Sequence, residues 1–172
     1  MKEARYKYGS GRLYLRPVEP NDALWVCKWR NSDKARAAFF SGDVVVTPDT
    51  HMLFCHERTL HDLVWMACKD DTDQRVGMAA LTVEPRNRTA QFGRLIVAPE
   101  YAGKGFAERI VRLALSFAWD VLHLSACGLV VKSDNHKAIE LYERCGWKTK
   151  HIWQAPGEGQ YRMVIARPLN GT

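Results

Sequence analysis

The stretch Val97-Ala98-Pro99-Glu100-Tyr101-Ala102-Gly103-Lys104-Gly105-Phe106-Ala107 constrains the fold more than any other, because an apolar run ends at a proline and a glycine-rich turn then opens a helical pattern. The spacing predicts a strand, a tight loop and a helix start. Glycines on both sides of Lys104 permit positive φ and let the backbone come close to a ligand. The amides left without partners at a helix N-terminus attract anions such as a pyrophosphate. The plainer alternative is an ordinary strand-to-helix turn in which glycine supplies only its conformational freedom. Two nucleotide-binding patterns are excluded: the spacing does not fit G-x-x-x-x-G-K-[ST], and the first glycine of G-x-G-x-x-G is missing.

A second informative segment follows the apolar run Ala126-Cys127-Gly128-Leu129-Val130-Val131-Lys132, which reads as a buried strand. From Asp134 to Trp147 a helix is expected, with Asn135 as its N-cap and Gly146 as its C-terminal stop. Ala138, Leu141, Tyr142 and Cys145 share one face at helical spacing, so Tyr142 taken alone reads as a core aromatic.

Together these segments resemble the GNAT superfamily of N-acetyltransferases. The first matches its coenzyme A loop, a strand ending in V-x-P-x-[YH] followed by [QR]-x-x-G-x-[GA]; the last part falls on Ala102, Gly103, Lys104, Gly105, Phe106 and Ala107, with Ala102 standing where Arg or Gln is usual. The second matches N-x-x-A-x-x-x-Y-x-x-x-G-[FW] at Asn135, Ala138, Tyr142, Gly146 and Trp147. The resemblance implies an acyl-CoA N-acyltransferase fold of mixed α/β type, with a mostly antiparallel sheet flanked by helices. It implies acetyl-CoA as cosubstrate, no metal, and direct attack of an amine on the thioester.

The same resemblance distributes the roles. Leu95, Ile96 and Val97 would meet the pantetheine arm and the thioester, residues 102 to 107 the pyrophosphate, and Asn135 the arm. Tyr142 would be the general acid on the leaving sulfur. Many relatives carry a Glu on the strand before the loop; the nearest equivalent here is Gln91, which accepts no proton at neutral pH. Glu84, a chain of waters, or no strong base at all remain as alternatives.

The rest of the chain reads as one domain over 1–172. A strand is expected at Arg12 to Arg16, a helix from Pro20 through Trp25, Trp29 and Asn31, and a second helix from Thr47-Pro48 toward Leu60. Strands at Leu63 to Lys69, Arg75 to Val83 and Thr89 to Val97, joined by turn-rich segments, predict an antiparallel meander. A long helix from Gly105 to about Leu122 carries an apolar stripe through Ile110, Val111, Ala114, Leu115 and Ala118, and a hairpin across Pro156 to Gly159 closes the fold.

Composition narrows the classes. The length of 172 residues suffices for a sound core, and no run of about eighteen apolar residues occurs, so the chain is expected to be cytoplasmic with no membrane contact. Cysteines 27, 55, 68, 127 and 145 show no C-x-x-C spacing and read as reduced thiols, and the histidines form no metal set, His51, His56 and His61 being five apart. The formal charge of +6 fits an anionic partner, which coenzyme A supplies; the basic residues are scattered and carry no nucleic-acid-binding motif.

For the acceptor, the K-W-R-N run ending in Trp29, Arg30 and Asn31 is similar to GNAT enzymes that acetylate nucleotide-linked amino deoxysugars. On that reading Arg30 meets a diphosphate, Asn31 and Phe40 line the acceptor side, and the partner is a small, phosphate-bearing amine, the enzyme being a monomer or homodimer. Trp25 and Trp29, four apart, are expected to form the core face of their helix. The rival acceptors are protein N-termini, suggested by Leu13-Tyr14-Leu15-Arg16-Pro17, and aminoglycosides. A non-catalytic coenzyme A-binding role is the alternative of a different class.

Overall fold

The computed structural model describes residues 7–9, 11–40, 44–50, 61–155 and 158–169. Seven strands form one sheet in the order β1-β2-β3-β4-β5-β7-β6. They are β1 (Leu13–Pro17), β2 (Asp62–Lys69), β3 (Arg75–Glu84), β4 (Thr89–Val97), β5 (Ala126–Lys132), β6 (Lys148–Ala155) and β7 (Glu158–Ala166). The helices are α1 (Ala23–Arg30), α2 (Asp33–Ala38), α3 (Phe106–Asp120) and α4 (His136–Arg144). Antiparallel pairing runs through β1 to β4 as the turn-rich joins predict, and the crossover through α3 makes β4 and β5 the parallel pair. Among the described residues no helix is long and apolar enough to cross a membrane.

Helices cover the two faces of the sheet unequally. On one face α3 presses Ile110, Val111, Ala114, Leu115 and Ala118 onto Leu15, Trp65, Leu81 and Phe92, and α4 adds Ile139, Leu141 and Tyr142. Ile110 is fully buried, so truncating it to Ala should cost about 2–5 kcal/mol. On the other face α1 packs Val26 and Trp29 against Tyr14, Met66 and Met78, a smaller cluster on the β1-to-β4 side. Thr82, Gln91 and Val130, all exposed, mark the part of this second face that is open to solvent.

Several expectations change in the structure. The first helix begins as a 3-10 turn over Pro20–Asp22 before α1 proper, because Pro20 suits the first position of a helix but Asp22 turns inward. Of the two tryptophans only Trp29 is core, at 1% exposure; Trp25 is 41% exposed, since α1 is amphipathic over a narrow strip. Helix α2, capped by the Ser32 side chain on the Ala35 amide, was not expected. Helix structure does begin at Pro48, where Thr47 receives the Thr50 amide at 3.2 Å, but the run toward Leu60 lies outside the described residues from 51 on, as do the hairpin residues 156–157.

Candidate active site

The glycine loop is built as its composition demands. Pro99–Tyr101 forms a 3-10 turn, Ala102 is extended, and Gly103 and Gly105 adopt φ of +74° and +77°. Neither glycine would bring a Cβ within 4 Å of another atom, so backbone conformation and not crowding calls for glycine at both positions. Gly105 caps α3, leaving the amides of Phe106, Ala107 and Glu108 without intrahelical partners at the positive end of the helix. The Glu108 carboxylate is tied to Arg112 at 2.8 Å and lies 3.7 Å from Arg144, which holds its charge to the side of the helix.

Beside this loop opens a cleft of about 710 Å³. Its walls include Leu95, Ile96 and Val97 from β4, Ala102, Gly103, Gly105, Phe106 and Ala107 from the loop and first turn, and Asn135 with Ala138 from α4. The two caps of α2, Ser32 and Phe39, complete this side of the wall. The Lys104 side chain is exposed, its Nζ 5.8 Å from the Tyr101 ring centre. A second hollow of about 590 Å³, lined by Arg12, Arg109, Arg112 and Leu113 on the outer side of α3, shares no residue with the glycine loop.

The cleft exists because two parallel strands part. β4 and β5 pair only from Thr89↔Ala126 to Gln91↔Gly128, although β4 runs on to Val97 and β5 to Lys132. Between Gly93 and Ile96 the register with β3 also slips, and Arg94 takes a φ of +56°. Such a bulge bends the strand and increases its twist, turning the end of β4 away from β5. Beyond Gln91 the edge of β4 that faces β5 therefore offers its backbone groups to the wedge and not to a neighbouring strand.

Helix α4 borders the wedge on the side of the larger core. The Asn135 side-chain oxygen accepts the Ala138 amide at 3.3 Å, as an N-cap should. Tyr142 is next in the chain to Leu141, a wall of the cleft, and is largely buried, with its ring edge-on to Phe92 and Trp147, each at 6.1 Å between ring centres. Burial, reinforced by Cys145, pushes its phenol well above the ordinary tyrosine range, so it stays protonated at neutral pH. Burial likewise raises the thiols of Cys27, Cys68, Cys127 and Cys145, which disfavours a thiolate nucleophile among them. No group of three or more metal-ligating side chains occurs among the described residues.

The residues expected on the acceptor side are arranged differently from the sequence reading. The Arg30 guanidinium stacks on Phe39, 3.5 Å from the ring centre, and its partial burial lowers its pKa. Asn31 spends its amide on the chain itself, donating to the Val46 carbonyl at 2.7 Å and accepting the Val46 amide at 2.8 Å. Phe40 is 47% exposed with Lys132 over its ring, and it is Phe39 that enters the cleft wall. Glu84 pairs with Thr89 at the end of β4 opposite Val97, two residues and therefore roughly 7 Å along the strand from Gln91. Ser32 escapes a sequence reading that carries the first helix through Asn31; the Ser32-Asp33 pair is the helix-start signal that locates it.

Comparison with known proteins gives consistent results. A family model described as an acetyltransferase (GNAT) domain matches residues 12–148. The spermidine N(1)-acetyltransferase of Escherichia coli (strain K12) is 28% identical over 155 residues, covering 88% of this chain and 82% of that protein. The enzyme of the same name from Vibrio cholerae is 28% identical over 141 residues, with 80% of each chain covered. Among solved structures, a Vibrio cholerae spermidine N-acetyltransferase in complex with CoA and spermine superposes with a TM-score of 0.79 at 24% identity, over 90% of this chain and 95% of that one. A dodecameric form of that enzyme gives 0.71 at 25% identity, over 90% and 93%.

Proposed function

The chain belongs to the GNAT acetyltransferases and uses acetyl-CoA, and we propose that it acetylates a primary amine of a linear polyamine by direct attack within a ternary complex. The observation that carries the reading is the wedge between β4 and β5, opening onto a glycine loop at the positive end of α3. The loop amides would take the pyrophosphate, the free edge of β4 at Leu95 to Val97 the pantetheine arm and the thioester oxygen, and Asn135 the arm from the α4 side. The named relatives support a polyamine; they move the acceptor away from a nucleotide-linked amino sugar. Arg30, on which the nucleotide reading leaned, is stacked on Phe39.

In chemical terms, the ammonium of the acceptor first releases a proton to water, because an aliphatic amine with a pKa near 10.4 is mostly charged at neutral pH. The nitrogen lone pair attacks the carbonyl carbon and the carbon–sulfur bond breaks. Tyr142, kept neutral by burial, gives its proton to the leaving sulfur and recovers one from the new amide nitrogen. The products are the acetamide, the coenzyme A thiol and one proton.

One observation favours a second acceptor class: the formal charge of +6 repels a polycation and suits a phosphate-bearing amine. The deciding experiment measures thiol release from acetyl-CoA with spermidine, a nucleotide-linked amino sugar, a peptide and an aminoglycoside. The highest kcat/KM is expected with spermidine. A preference for the nucleotide-linked sugar would replace the polyamine, and no amine-dependent release would overturn acetyl transfer.

A further inference from the structure

The last hydrogen-bonded rung before β4 and β5 part joins Gln91 to Gly128, and the side chain of Gln91 lies across it. A Cβ added at Gly128 would fall 2.9 Å from Gln91 Nε2 and 3.1 Å from Oε1, so the absence of a side chain on β5 leaves the room that the Gln91 amide occupies. One face of this rung is filled by Phe92, Cys127 and Leu129 of the larger core, which leaves only the face of Gln91, Thr82 and Val130 open to an incoming molecule. A polar side chain is thus seated at the apex of the wedge, on the side from which an amine can approach.

We infer that Gln91 positions the acceptor: laid across Gly128 at the apex of the wedge, its amide oxygen accepts a hydrogen bond from the attacking nitrogen and directs the lone pair into the wedge, without taking a proton. This rests on the acetyl-transfer reading above. A carboxamide fixes direction but cannot serve as a base, so the amine must arrive already neutral. Among the described residues, the ionisable side chains on the same face include Asp62 on β2, Glu84 on β3, Lys132 on β5, Lys148 on β6 and Arg162 on β7, with Arg30 at the end of α1; Arg16 on β1 and Arg75 on β3 face the same way and are held by Asp22. Asp62 stands two strands from β4, roughly 10 Å away, and shares its row across the sheet with Thr82 and Gln91.

The test compares acceptor kinetics of the full chain with Gln91→Ala, Gln91→Glu and Gly128→Ala. Gly128→Ala needs no positive φ and crowds only the end of a flexible side chain, so the fold should persist while the amide is pushed aside. Both Gln91→Ala and Gly128→Ala are expected to lower kcat/KM for the amine by roughly 3- to 10-fold, the worth of one neutral hydrogen bond, with unchanged affinity for coenzyme A. The wild-type kcat/KM should climb with unit slope between about pH 6 and 9 with no inflection, following the amine alone. Gln91→Glu should introduce a plateau and raise the rate at the acidic end. Unchanged acceptor kinetics in both Gln91→Ala and Gly128→Ala, or a wild-type inflection near the range of a carboxylate or histidine, would overturn the role of Gln91. Failure of the wild-type protein to turn over any amine would overturn this role together with acetyl transfer itself.

Discussion

Arg16 holds Asp22 through two hydrogen bonds of 2.7 and 2.9 Å, an ion pair in which both side chains are buried and to which Arg75 adds a third bond of 2.6 Å. The Glu19 amide supplies a fourth at 2.8 Å, so the carboxylate is fully engaged where the chain enters α1. The pair clamps α1 to β1 and β3, and α1 leads into α2, which brings Ser32 and Phe39 to the cleft.

Removing one partner strands a buried charge, so Asp22→Ala is expected to destabilise the protein by about 3–5 kcal/mol, read as a fall in Tm. Burial alone would raise the Asp22 pKa, but the bonds from Arg16, the Glu19 amide and Arg75 outweigh it and the pKa is lowered. A carboxylate with a depressed folded pKa contributes its full stability above the unfolded value, about 3.9, and loses it as pH falls through the folded one. Wild-type Tm should therefore drop below about pH 4, with a flatter acid limb in Asp22→Asn. Identical acid limbs would show that Asp22 does not carry this dependence.

Gly105→Glu should abolish coenzyme A binding. The residue caps α3 with a φ of +77°, which a side chain strains, and a carboxylate there faces the same amides that would hold phosphate. Calorimetry on variant protein with native circular dichroism checks this; unchanged affinity would move the pyrophosphate elsewhere.

Tyr142→Phe keeps the ring packed against Phe92 and Trp147 and removes only the hydroxyl. A drop in kcat of about 10²-fold or more is expected, with the KM for acetyl-CoA little changed, because a proton donor to sulfur acts in the transition state. Unaltered kcat under conditions where chemistry limits the rate would leave Tyr142 a core aromatic.

Arg30→Ala uncovers Phe39, a wall of the cleft, and should raise the KM for acetyl-CoA about 2- to 5-fold, the worth of one exposed cation–π contact. Phosphate-bearing and phosphate-free acceptors should lose turnover equally. A loss confined to phosphate-bearing acceptors would return Arg30 to acceptor recognition.

What the sequence discloses here is local chemistry. A positive-φ loop, an N-cap at Asn135 and the stripe of α3 each depend on residues a few positions apart, and all three are legible at Gly103, Gly105, Asn135 and Ile110. Placement of β7 between β5 and β6 depends on pairings such as Leu129↔Met163 that leave no local trace. The inward turn of Asp22 was hidden because an acidic residue near a helix start reads as a solvated cap; an arginine inside the apolar run Leu13-Tyr14-Leu15-Arg16 was the signal that a buried partner was needed. Side-chain destinations proved the least legible: Asn31 serves the Val46 backbone, Phe39 and not Phe40 lines the cleft, and the bulge at Arg94 that helps open the wedge lies in an otherwise regular strand pattern.

Direct transfer inside the wedge is tested most directly by initial rates measured over a grid of acetyl-CoA and spermidine concentrations. Lines that intersect in double-reciprocal plots are expected, because the amine must meet the thioester while both are bound. Parallel lines, accompanied by an acetylated protein trapped in the absence of amine, would mean a covalent intermediate and would contradict direct attack.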